Sequence, residues 1–167
     1  PMDERYAHLI PQHQMNDTAY IIERFNANLR LTEAFSLTAQ EGFIVVQKHK
    51  VSTPETKYEA KLKSNQWFPL QTNSIAHFSS NYPENDSIIQ VWDQKRSFDR
   101  FIDDFSYNGT SKRAAKIISD VVIYRIDQKN KKEQKAAELT LHEYWVEGVG
   151  LVKTHPADDE TLHYMLD

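Results

Sequence analysis

The 167-residue chain suits one domain that buries roughly 70% of the surface its unfolded form exposes, and with 40% hydrophobic and 26% charged residues it has too many apolar groups to stay disordered. A formal charge of -4 gives phosphates no general attraction, so nucleic acid is not expected as a partner. The absence of cysteine excludes disulfides, thiol chemistry and cysteine-held zinc or iron–sulfur centres, and no apolar run approaches the ~20 residues of a membrane-spanning helix.

Residues 1–15, with Pro11 between His8 and His13, read as an irregular arm. Pro1-Met2 reads as a remnant of tag removal, so an export signal is expected to have preceded it. From an Asn16 or Asp17 cap, "TAYIIERFNANL" spaces Ile21, Ile22, Phe25 and Leu29 as one helical stripe. Beyond Gly42, "FIVVQKHKV" and "KYEAKLK" are strand-like around the turn "STPET", which makes them a hairpin. "WFPLQTNSIAHF" and "SIIQVWD" continue the β character on either side of the turn-rich "SSNYPEND".

The period then changes. In "SFDRFIDDF" the residues Phe98, Phe101, Ile102 and Phe105 follow i, i+3, i+4, i+7 behind Ser97, which predicts a helix that "YNGT" ends. "AKIISDVVIYRID" is a long strand, "KNKKEQK" a solvated hairpin loop, "ELTLHEYWVEGVGLVK" a last strand and residues 154–167 an acidic tail. The fold expected is a single α+β domain over 1–167. In it a curved antiparallel sheet of about six strands carries an N-terminal helix and a mid-chain helix.

Two of the four glycines, Gly148 and Gly150, fall in the apolar last strand, where glycine gains nothing unless the backbone bends, bulges or is closely approached. They are taken as structural, together with the stripe Phe98, Phe101, Ile102 and Phe105. "GVG" lacks the third glycine and following helix of a dinucleotide fingerprint. Asp159 and His163, with His155 nearby, have a chelating spacing if the tail is helical, but the same residues make a plain acidic helix start. No metal site and no cofactor are expected. Asp99 and Asp103 would share a helix face as an acid/base pair or as an ordinary polar face. His142 and Glu143 lie on opposite faces of a strand. Asn16, Asn85 and Asn108 begin glycosylation sequons, which double as turns.

"EYWVEGVGLVK", together with "WFPLQTNSIAHF" and a preceding strand like "ISDVVIYRID", resembles bacterial exported proteins and lipoproteins of unassigned activity. In those proteins an aromatic-Pro-Leu segment is followed by glycine, tryptophan and tyrosine, and a closing strand ends in Gly-Val-Gly-Leu-Val-Lys. Phe68, Pro69 and Leu70 fit, whereas Asn73 and Ala76 depart from the pattern. The resemblance implies an extracytoplasmic, non-enzymatic β-rich module. The function expected is binding of a protein partner at the cell envelope through a sheet face or edge, with Trp67, Trp92 and Trp145 as candidate anchors. The alternatives are a small α+β hydrolase with a His/carboxylate pocket, or a nuclear-transport-factor-like cone that holds a small ligand.

Overall fold

The computed structural model describes residues 6–14 and 17–157, with side chains from Tyr20 onward. The chain runs through β1 (Tyr6–Gln14), β2 (Asp17–Phe25), β3 (Leu31–Gln40), β4 (Phe43–Ser52), β5 (Lys57–Glu59) and β6 (Lys61–Pro69). It continues through β7 (Ile75–Pro83), β8 (Ile88–Tyr107), β9 (Thr110–Asp127), β10 (Lys132–Val146) and β11 (Gly150–Pro156). These form one antiparallel meander, β1-β2-β3-β4-β6-β7-β8-β9-β10-β11, with the short β5 paired to β4.

The described residues contain no helix, which corrects the α+β expectation to an all-β, curled half-barrel. The segment expected as an irregular arm is strand β1, and the expected N-terminal helix is strand β2. In β2, Ile22 turns inward onto Phe35 while Leu29 stands exposed in the Asn26–Arg30 turn, so the apolar residues never share a helical stripe. The tail from residue 158 lies outside the described residues.

The second expected helix is part of β8, and its apparent period has a specific origin. β8 loses register with β9 between Phe98 and Arg100 and again between Ile102 and Phe105. Each bulge inserts an extra residue, so side chains three apart return to the same face. Phe98 and Phe101 consequently meet on one face, with ring centroids 4.8 Å apart, while Ile102 and Phe105 turn to the other. Phe105 there stacks on Tyr144 beside Ala114, Val146 and Val152.

The segment read as one last strand is the hairpin β10-β11, and Gly148 and Gly150 stand at its turn with φ of +73° and +106°. Their function is conformational: no heavy atom lies within 4 Å of where a Cβ would sit at either position. The "YNGT" segment is also a hairpin turn, with Asn108 and Gly109 at φ of 48° and 72°, the left-handed pair that suits a two-residue connection between twisted strands.

How far the sheet curls is measured by one contact. Phe68 of β6 and Trp145 of β10 are separated by four strand spacings, roughly 19 Å in a flat sheet. Their ring centroids are 4.9 Å apart. The inner face is thereby rolled onto itself and filled by Ile22, Phe35, Leu37, Val46, Trp67 and Phe78.

Candidate functional site

By the alternation of β8, Trp92, Gln94, Arg96 and Phe98 face inward, and by register so do Ser119 of β9 and Glu143 of β10. These strands carry polar side chains to the middle of an apolar face. Arg96 Nε donates to both oxygens of Glu143, at 3.2 and 2.9 Å, and its Nη1 donates to the Trp67 carbonyl at 3.0 Å. Gln94 Nε2 donates to Ser119 Oγ at 2.6 Å. Both charged side chains are 4% exposed, so this is an ion pair taken out of water.

The three tryptophans named from the sequence gather around this network. The Arg96 guanidinium lies 4.3 Å from the Trp67 ring centre, Trp92 Nε1 donates to Gln94 Oε1 at 3.2 Å, and Trp145 Nε1 donates to Glu143 Oε2 at 2.9 Å. Trp67 is buried, and Trp92 and Trp145 are half-buried. The alternation of aromatic and polar side chains at Trp92, Gln94, Arg96 and Phe98 is a sequence signal that reading for pockets alone passes over.

A second cluster sits on β3, β4 and β7. His49 is buried and stacked on Phe35 at 4.3 Å, and its Nδ1 is 3.0 Å from Ser80 Oγ. Its Nε2 faces Glu33 Oε1 at 3.5 Å, and Glu33 in turn takes a hydrogen bond from Arg24 at 3.0 Å. Ser80, His49 and Glu33 thus stand in line as hydroxyl, imidazole and carboxylate. The geometry suits a core network better than a nucleophile, because Ser80 is completely buried and the crevice beside His49 is filled by Arg24, Phe35, Trp67, Phe78 and Trp92, leaving no space for a water molecule.

The remaining candidates are dispersed. Asp99 pairs with Lys116 at 3.1 Å and Asp103 with Arg113 at 3.1 Å, so the two carboxylates serve separate ion pairs. His77 lies on the outer face against Asp93 at 3.0 Å. His142, also on the outer face, meets His155 of β11. Asp159 and His163 lie outside the described residues, and among the described residues no three His, Asp or Glu side chains gather.

No helix among the described residues is long and apolar enough to cross a membrane. Comparison of the chain with protein-family models, with curated proteins and with solved structures finds no match.

Proposed function

We propose that the chain is a non-enzymatic binding module of the bacterial cell envelope that takes a protein partner along the open end of its sheet. One observation carries the reading. β11 ends the strand order, so among the described residues its outer edge has no strand beside it, and Leu151 and Val149 stand 38% and 44% exposed at its start. A sheet edge flanked by apolar side chains offers main-chain hydrogen bonds for affinity and side-chain contacts for choice of partner. The buried polar groups of the inner face support a binding module over an enzyme, since Arg96, Glu143, Gln94 and Ser119 satisfy one another. The resemblance of the "FPL" and "GVGLVK" segments to exported proteins supports the envelope.

A photo-cross-linking side chain placed at Leu151, with Lys95 on the exposed outer face as control, tests this in cells of the native organism. A discrete protein adduct at position 151 and not at 95 is expected. Equal labelling at both positions, or no adduct at 151, overturns the proposal.

A further inference from the structure

We propose that the Asn26–Arg30 turn and the outer face of β4 and β5 dock on an anionic lipid surface, with Leu29 entering the boundary between headgroups and acyl chains and lysines lying against the phosphates. Leu29 stands 75% exposed with φ of +56°, a backbone conformation that glycine or asparagine adopts at far less cost than leucine. The turn ties it there. The Leu29 N–H donates to the Asn26 carbonyl at 2.9 Å, and the Asn26 N–H donates to the Arg30 carbonyl at 3.0 Å. Asn26 Oδ1 accepts from the N–H groups of Asn28 and Arg30, both at 3.0 Å. A large apolar side chain is thus held in water on a left-handed residue of a well-bonded turn. Backbone strain of this kind collects at contact sites.

The surface beside the turn is basic. Register places Lys48 opposite Ser36, Lys50 opposite Ala34, Lys57 opposite Ser52 and Lys61 opposite Asn81. Alternation with the buried Phe35, His49 and Ala60 turns all four lysines to the outer face. They are exposed, and among the described residues none is ion-paired, whereas Arg24, Arg96, Lys116 and Arg125 each hold a carboxylate. Glu23 and Glu59 share the face and leave it a positive excess, to which the exposed Arg30 of the turn adds. The pairings of Phe25 with Leu31, Glu33 with Val51 and Ser52 with Lys57 bring the turn and Lys57 to the same end of the sheet.

Lysine is depleted from the cores of protein interfaces, where aromatic side chains and arginine are enriched. Here lysines stand among the small side chains of Ala34, Ser36 and Ser52, which suits a plane of diffuse negative charge better than a protein. The apolar tip separates lipid from nucleic acid, because a phosphate backbone in water gives leucine nothing and a bilayer boundary takes it up. The inference uses neither β11 nor its partner, so either can fail without the other.

Co-sedimentation of the purified chain with vesicles of mixed phosphatidylglycerol and phosphatidylcholine, and of phosphatidylcholine alone, tests the surface, alongside thermal melts. The chain should bind the anionic vesicles, lose them as salt is raised, and leave the neutral ones in solution. Lys48→Gln and Lys50→Gln should each weaken binding about fivefold, whereas Lys95→Gln, on the outer face of β8, should leave it unchanged. Leu29→Asn should weaken binding at least about tenfold while melting at the same temperature or higher, since asparagine tolerates the left-handed region. That opposition of affinity and stability is one that a purely structural role for Leu29 does not produce. Undiminished binding by Leu29→Asn overturns the proposal, as does no binding by the native chain or equal binding to the neutral vesicles. Equally tight binding of a DNA duplex assigns the lysines to phosphate chains in general and overturns it too.

Discussion

Arg96 of β8 and Glu143 of β10 hold a buried ion pair at 2.9 Å across the strand that separates them, and the same arginine reaches the backbone of β6. The pair therefore spans the curl of the sheet, from Trp67 to Trp145. Removing one partner strands the other charge away from water, so Glu143→Leu should destabilise the fold by about 3–5 kcal/mol. The double variant Arg96→Met with Glu143→Leu should recover much of that loss, because no charge is left uncompensated. Chemical denaturation of the three proteins measures both, and additive losses would show that the two groups act independently.

Gly148 and Gly150 offer a test of conformation against packing. Both have positive φ, and a Cβ at either meets no atom within 4 Å. Valine at each site should cost more than about 1 kcal/mol through backbone strain alone. Asparagine, which tolerates the left-handed region, should cost less than valine at Gly148. Thermal melts in which asparagine and valine are equally damaging there would locate the cost elsewhere.

The pattern of residues showed β character and antiparallel order over much of the chain, and it failed where a β feature imitates a helix. Two bulges in β8 give Phe98, Phe101, Ile102 and Phe105 a spacing that a regular helix would also give, and the alternating pattern returns only when Trp92 to Phe98 are read together. Asn108-Gly109 is a strong hairpin signal, and the same pair of residues also suits the end of a helix. The His142–His155 contact depends on the register of the last hairpin, which the sequence does not display until Gly148 and Gly150 are read as a turn. The buried Arg96–Glu143 pair depends on the curl, a property of the whole sheet.

Asp127 closes the turn before β10 by accepting hydrogen bonds from the backbone of Lys129 at 2.8 Å and Asn130 at 3.2 Å. These N–H donors favour the ionised carboxylate and hold it below the ordinary aspartate range. With the folded value depressed, the stabilisation is fully present above the unfolded value of about 3.9 and is lost as pH falls through the folded value. A carbonyl chemical-shift titration should show Asp127 with a midpoint below about 3.9. A midpoint at or above that value would mean that the turn bonds do not persist in solution.

Phe35 and Phe101 separate the core from what the sequence mistook for it. Phe35 is 2% exposed and packed between His49 and Trp67, with ring centroids at 4.3 and 4.7 Å. Phe101 is 45% exposed and touches Phe98 and the Arg113 guanidinium, which lies 3.8 Å from its ring centre. A helix docking Phe101 on the sheet would make its loss as costly as that of any core ring. In the bulged strand the ring keeps only partial burial and one cation–π contact, so Phe101→Ala should cost about 1 kcal/mol. Phe35→Ala, which empties the centre of the aromatic cluster, should cost about 3–5 kcal/mol. Urea denaturation of the two variants decides the matter: comparable losses would restore Phe101 to the core, whereas a severalfold difference follows from a β8 whose bulges send successive apolar pairs to opposite faces and leave this one at the rim.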